Sequence, residues 1–164
     1  MESQRIKIEP DLFDKIVLFI LILSGLLLFL IPAYYFSLLP EIIPIHYNFK
    51  GKPDGYGNKN NIWLLSMIGN VLAFGLYQLT RHPALFNYPE NITRKKKQIL
   101  FTYSKRTTLC LAVVISFTIL YLVIMTVQVA LNYEEGLSNY FSPIFLVLLL
   151  SPVVYYIRKS LLNK

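Results

Sequence analysis

The chain has 164 residues, of which 55% are hydrophobic and 15% charged, and its mean hydropathy is +0.50. This length predicts one domain. Its hydrophobic fraction is larger than a soluble domain of this size needs to fill a core. The net charge of +7 does not indicate a nucleic-acid partner, because the basic residues gather beside apolar runs, where lipid headgroups and membrane topology account for them. The composition therefore predicts a membrane protein, and a single cysteine excludes an intrachain disulfide.

Four uncharged apolar runs predict four transmembrane helices in one membrane domain that covers residues 1–164. Met1 to Lys15 is polar and is expected to be a retained cytoplasmic tail. Pro32 is expected to kink the first span or to end its regular part. Thr93 is expected to cap a helix that starts at Arg94 and continues into the third span. The spans are predicted at about residues 16–39, 62–80, 107–131 and 141–157.

The stretch between the first two spans, LPEIIPIHYNFKGKPDGYGNK from Leu39 to Lys59, is the long polar interruption of the apolar first half. From Ile43 to Lys50 apolar and polar residues alternate, which predicts an extended segment with two faces. Pro44 has no amide hydrogen to donate to a neighbouring strand, so this segment is expected to be an edge strand or an isolated extended segment. The run from Gly51 to Gly57 has turn-forming residues and is expected to reverse the chain, bringing Tyr56 and Lys59 back towards the extended segment.

The second span carries small and polar residues on one side, at three- and four-residue spacing: Ser66, Gly69, Asn70 and Ala73. We expect this face to point into the bundle, with Asn70 bonding across helices. The connector from Arg81 to Arg106 holds most of the loop cations, and the positive-inside rule places it in the cytoplasm together with both termini. Its basic run is expected to bind anionic lipid headgroups and consists of Arg94, Lys95, Lys96 and Lys97.

The predicted fold class is an all-α integral membrane protein of four transmembrane helices, with a small extended, turn-rich extracytoplasmic element between the first two. At LPEIIPIHYNFKGKPDGYGNK and HPALFNYPENIT the sequence resembles the membrane domain of unknown function that forms the N-terminal part of SdpI-type immunity proteins, over roughly residues 10–130. Such proteins protect a bacterial producer from a membrane-active toxic peptide, signal by holding a repressor at the membrane, and carry a further multi-span C-terminal portion. The resemblance implies a protein of the bacterial inner membrane.

The candidate ligand-binding residues of the outer element are His46, Asn48, Asp54 and Tyr56. His46 can act as acid, base, metal ligand or pH switch near neutrality, although a structural hydrogen bond is the commoner role of such a residue. A divalent metal site is an open alternative, with His46 and Asp54 as ligands and carboxylates from Glu41, Glu134 or Glu135 completing it. No nucleophile elbow, HExxH or paired-histidine motif is present, so no catalytic residues are assigned and no resident cofactor is expected.

Three functions remain open on these residues. The first is an outer element that recognises an extracytoplasmic or membrane-inserted ligand, such as a toxic peptide, in immunity or envelope sensing. The second is a metal-assisted membrane enzyme centred on His46. The third is an accessory subunit that binds a membrane-protein partner through the Ser66 to Ala73 face.

Overall fold

The computed structural model describes residues 10–82, 85–86 and 92–162. Four helices, α1 to α4, and two strands, β1 and β2, follow one another in the order α1, β1, β2, α2, α3, α4. They are α1 (Leu12–Tyr35), β1 (Ile42–Tyr47), β2 (Pro53–Asn58), α2 (Asn61–Leu79), α3 (Arg94–Ala130) and α4 (Phe141–Leu162). All four helices are long and apolar enough to cross a membrane, and the two strands add a small sheet to the all-α fold expected from the sequence.

Helix α1 begins earlier and ends earlier than the span expected at about 16–39. Asp11 caps it, since the Asp11 side chain accepts from the amide of Asp14 and the Asp14 side chain accepts from the amide of Asp11. Residues expected in a polar tail therefore form the first helical turn. At the other end the amides of Leu38 and Leu39 both bond to the Tyr35 carbonyl, which closes the helix. Pro32 lies inside α1, and the helix runs on past it to Tyr35.

The reversal was expected over Gly51 to Gly57. Gly51 lies in the turn, and Tyr56 and Lys59 return towards β1 and Glu41 as expected, but the rest of this run is not a turn. Pro53–Asn58 forms β2, which pairs antiparallel with β1. The chain instead reverses over residues 48–52, where the Asn48 amide oxygen accepts from the backbone of Lys50 at 2.9 Å and of Lys52 at 3.2 Å. A side chain that satisfies backbone donors two and four residues ahead is a strong local turn former. We call β1, this turn and β2 the hairpin.

The alternation expected along β1 is interrupted. The pairing register shifts between Pro44 and His46 and again between His46 and Tyr47. Ile43 and Pro44, which precede the first shift, are both buried, whereas after it Ile45 is half exposed and Phe49 is 95% exposed. A register shift moves every following side chain to the other face of a strand, and this explains why the two-residue period does not predict burial here.

Helix α3 is the centre of the bundle and packs against α1, α2 and α4. Thr93 caps it as expected, with its hydroxyl accepting from the Lys96 amide. A 37-residue helix is about 56 Å long, so α3 exceeds the roughly 30 Å of a hydrocarbon core. Helix α4 packs against α3, and none of its side chains up to Leu161 is buried.

Two apolar clusters fill the bundle. One lies next to the hairpin and is formed by Leu28, Leu39, Ile43, Ile62, Leu120, Val123 and Val127. The other lies towards the start of α1 and is formed by Val17, Leu21, Ala73, Tyr77, Leu109 and Ala112. Between them Ser24 of α1 and Ser116 of α3, both almost fully buried, share a hydrogen bond of 2.7 Å. Hydroxyls that bond to each other can sit among apolar helices at little cost.

Candidate functional site

The hairpin is fastened to the loop between α3 and α4. The Leu137 amide donates to the Gly51 carbonyl at 2.8 Å, and the Lys52 ammonium pairs with Glu135 at 2.9 Å. Both groups of the Lys52 pair are largely exposed, so the pair adds little stability and the backbone bond is the more important tie. The hydrogen bond that the Lys52 ammonium donates to Glu135 lowers the pKa of the Glu135 carboxyl below its ordinary value.

The hairpin is also anchored in the helix bundle. Ile43 is 1% exposed and belongs to the apolar cluster beside the hairpin. The Tyr47 hydroxyl lies 3.2 Å from the Thr126 hydroxyl of α3, within hydrogen-bonding distance. Burial raises the pKa of the Tyr47 phenol, and the hydrogen bond to Thr126 partly opposes that rise. A strand pair alone is marginally stable in water, so these contacts explain how so short a hairpin holds its shape.

An open cleft of about 940 Å³ lies between the hairpin and the end of α3, and we call it the outer cleft. Its hairpin side includes Pro44 and Tyr56, which are cross-strand partners. Its opposite side is the segment that follows α3, with Tyr133, Glu134 and Glu135. Glu134 is exposed and forms no ion pair with any residue that the structure describes. Aromatic and proline walls beside a free carboxylate suit a ligand with apolar and cationic parts.

The four candidate ligand-binding residues do not share one surface. His46 and Asp54 meet at 2.5 Å between Nδ1 and Oδ1, with their side chains 69% and 43% exposed. Gly55 is the register partner of His46, and a Cβ at Gly55 would lie 2.9 Å from the Cβ of His46. Tyr56 lines the outer cleft, whereas the Asn48 amide oxygen is bound within the turn. His46 and Asp54 thus form an exposed pair, separate from the residues that line the outer cleft.

The carboxylates expected to complete a metal site lie apart from that pair. Glu41 forms an ion pair with Lys59 at 2.9 Å, and Glu135 pairs with Lys52. Across residues 10–82, 85–86 and 92–162 no group of three His, Cys, Asp or Glu side chains could hold a metal ion. The described residues therefore bring together only two of the proposed ligands, His46 and Asp54.

The small-residue face of α2 lies in the bundle interior. Ser66 is fully buried, and Ala73 packs in the cluster near the start of α1. A Cβ at Gly69 would come within 2.6 Å of Ile119 Cγ2 on α3, so the glycine permits close approach of the two helices. The Asn70 amide donates to the Ser66 carbonyl at 3.0 Å and to the Gly25 carbonyl of α1 at 3.4 Å. This face is thus covered by α1 and α3 of the same chain.

Two ion pairs join α1 to α3 at the end of the bundle away from the hairpin, and sequence reasoning missed both. Lys105 pairs with Asp14. The Lys105 side chain is 13% exposed and that of Asp14 is 5% exposed. Arg106 pairs with Asp11 at 3.3 Å, and both of these side chains are about half exposed. A signal was present, since Asp11 and Asp14 stand just before the first apolar run and Lys105 and Arg106 stand just before the third. By contrast, the first turn of α3, with Arg94, Lys95, Lys96 and Lys97, remains largely at the surface.

Four helices long and apolar enough to cross a membrane, with a hairpin between the first two, are the architecture of a multi-pass membrane protein. Residues 16–69, which run from α1 through the hairpin into α2, match the family model described as a domain of unknown function (DUF1648). No curated protein matches the chain, and no solved structure matches it. The matched segment includes His46, Asp54 and Tyr56, and it ends in α2 at Gly69, on the helix face that packs into the bundle.

Proposed function

We propose that this chain is a bacterial inner-membrane protein that recognises an extracytoplasmic, membrane-active peptide at its outer cleft, in the setting of toxin immunity or envelope sensing. The observation that carries the proposal is the pair of hydrogen bonds that hold the hairpin against α3 and the α3–α4 loop. Gly51 bonds to Leu137 and Tyr47 to Thr126, so the two sides of the cleft are fixed relative to each other. A preorganised recognition surface loses less entropy on binding than a mobile loop.

The chemistry of the outer cleft favours a peptide that is both apolar and basic. Tyr56 and Tyr133 are 59% and 75% exposed, and they offer aromatic surface to a ligand. Glu134 offers a carboxylate without a competing cation among the described residues. Peptides that act on bacterial membranes combine apolar and cationic faces. The resemblance to SdpI-type immunity proteins, carried by the Leu39–Lys59 motif, supports the same class of ligand.

The orientation is part of the proposal, because the ligand must reach the cleft from outside. The basic connector that includes Arg94 to Lys97 favours a cytoplasmic position for the opposite end of the bundle. In a Cys110→Ser background, Phe49→Cys should react with a membrane-impermeant thiol reagent in intact cells. Gln98→Cys, which is exposed at the other end, should react only after permeabilisation. The reverse labelling pattern would refute this orientation and with it the proposed function.

Recognition is tested with a panel of membrane-active peptides applied to a sensitive bacterium that expresses the chain. We expect a raised inhibitory concentration for at least one cationic member, loss of that protection in Tyr56→Ala and Glu134→Gln, and retention in Phe49→Ala. Phe49 is the matched control, because it is a large exposed aromatic residue of the same hairpin outside the cleft. His46→Ala tests the exposed pair, which lies outside the outer cleft, and we expect it to leave expression, detergent stability and protection intact.

A second measurement makes the result independent of growth. With the chain in nanodiscs, the protective peptide should slow hydrogen exchange in residues 132–135 and in β2. If no peptide of the panel changes either survival or exchange, the recognition proposal fails.

A further inference from the structure

A second cleft lies on the other side of the hairpin, and we call it the lateral cleft. It has a volume of about 310 Å³ and is bounded by the hairpin, α2 and α3. Ile45 and Tyr47 contribute from the hairpin, Leu64 and Ile68 from α2, and Leu122 from α3. The walls are mainly aliphatic, and the volume is at the low end of the roughly 300–1,000 Å³ typical of small-molecule sites.

The position of the lateral cleft along the start of α2 favours a place at the hairpin-side edge of the hydrocarbon layer. Its lining extends from Asn61 to Ile68, the first two turns of the helix, which corresponds to about 11 Å along the axis. Leu64 and Ile68 are 51% and 44% exposed, and they continue into the apolar surface that includes Met67 and Val71. In a helix that spans a bilayer, such a surface faces lipid. The lateral cleft is therefore an indentation in the lipid-facing surface.

We propose that the lateral cleft holds the ester-proximal part of an acyl chain from a glycerophospholipid in the leaflet next to the hairpin. Three possible occupants differ in cost. Water would have few polar partners among the aliphatic walls. A peptide segment would bring backbone groups that hydrocarbon leaves unsatisfied. A hydrocarbon chain has neither cost, and it restores the dispersion contacts that an empty cleft would lose.

The hydroxyl pair at the cleft explains why the ester end is the part held there. Tyr47 and Thr126 share one hydrogen bond but carry two hydroxyl hydrogens, and neither hydroxyl makes a further hydrogen bond to the described residues. One O–H is therefore left to donate. A donor without an acceptor is costly in an apolar environment. The ester carbonyl of a glycerophospholipid lies near the interface, at the depth of the first turn of α2, and supplies that acceptor.

The test uses nanodiscs of phosphatidylethanolamine and phosphatidylglycerol, with a small fraction of phosphatidylglycerol that carries a diazirine near the ester end of one acyl chain. After irradiation, mass spectrometry locates the labelled residues. We expect labelling of residues 43–47 and of the α3 segment around Leu122 that saturates as the photolipid fraction rises. Bulk lipid that merely touches the surface of α4 should label in proportion to that fraction, without saturation.

Two tryptophan variants of α2 make the comparison specific. Ile68→Trp fills the lateral cleft from its rim and should reduce the saturable labelling several-fold. Val71→Trp adds the same side chain one turn along the exposed surface, outside the lining, and should leave the labelling unchanged. The double variant Tyr47→Phe with Thr126→Val removes both hydroxyls, and with them the free O–H, and should weaken saturable labelling to a smaller extent. If Ile68→Trp unfolds in a thermal scan, Leu64→Trp at the same rim takes its place.

Non-saturating labelling of the hairpin, equal to that of α4, would overturn the proposal, and so would saturable labelling that Ile68→Trp leaves unchanged. The proposal does not depend on the ligand of the outer cleft, because the labelling is measured with lipid alone.

Discussion

Gly51 and Leu137 hold the hairpin against the α3–α4 loop through a contact that only a glycine permits. Gly51 has a φ of +76° and accepts a hydrogen bond of 2.8 Å from the Leu137 amide. A Cβ at this position would lie 2.6 Å from the Leu137 carbonyl oxygen. The glycine therefore serves both the backbone conformation of the turn and the close approach of the two loops.

Gly51→Ala should loosen the hairpin from the loop. The left-handed conformation costs a residue with a side chain about 1–2 kcal/mol, and the clash with backbone adds to that cost. We expect faster hydrogen exchange at the Leu137 amide and a lower thermal midpoint in detergent. The control is Gly75→Ala, because a Cβ there meets nothing within 4 Å and the residue lies within α2. This control should be neutral or stabilising by about 0.5–1 kcal/mol. Equal exchange at Leu137 in both variants would contradict the assigned role.

The Asp14–Lys105 pair should contribute far more to stability than the Asp11–Arg106 pair beside it. Removing one partner of a buried pair leaves an uncompensated charge, and we expect Asp14→Asn or Lys105→Met to lower the free energy of unfolding by about 3–5 kcal/mol. The double variant should recover part of this loss, since no lone charge remains. Reversible unfolding in mixed micelles measures all three.

Asp11→Asn is the matched control for that series. Its pair with Arg106 is about half exposed, and asparagine still caps a helix, so we expect a change of about 1 kcal/mol or less. If Asp11→Asn and Asp14→Asn lower the free energy of unfolding by the same amount, the contribution of the Asp14–Lys105 pair to stability does not come from its burial.

The Asp11 carboxyl should titrate below its ordinary range. The hydrogen bond from the Asp14 amide is the largest cause that lowers its pKa from 3.8, and the charges of Arg106 and Lys105 act in the same direction. Because the folded-state pKa is lowered, the stabilisation is present above pH 3.8 and is lost as the pH falls through the folded-state value. The Asp14 amide donates to this carboxyl at 3.0 Å, so its chemical shift reports the titration. A midpoint at or above 3.8 would show that the cap does not hold the charged form.

Gly69→Ala should separate α2 from α3. The added methyl group would meet Ile119 Cγ2 at 2.6 Å and Leu28 Cδ1 at 3.2 Å, and overpacking of this kind costs about 1–3 kcal/mol. Ile119→Ala removes the closest atom, so the double variant should be more stable than the sum of the two single effects predicts. Unfolding free energies of the four proteins complete this cycle, and strict additivity would show that the contact is not limiting.

Much of the helical layout could be predicted from the sequence, because uncharged apolar runs have few alternatives to a helix in a bilayer. The cap of α3 at Thr93 and the inward face of α2 follow from residue types at fixed spacings. The bounds of α1 did not follow, since Asp11 and Asp14 were read as a polar tail when their reciprocal hydrogen bonds start the helix. Glycine and proline in residues 53–57 suggested a turn, but pairing with β1 made them a strand.

By itself the sequence determined that this is a membrane protein with four apolar helices and one polar element between the first two, because hydrophobicity and charge are properties of residues. Only the tertiary structure decided which distant groups meet. Gly51 with Leu137, Asp14 with Lys105 and Tyr47 with Thr126 are brought together by helix packing across 79 to 91 positions of the chain. The two clefts lie between such elements, and their shape depends on packing that no local pattern encodes.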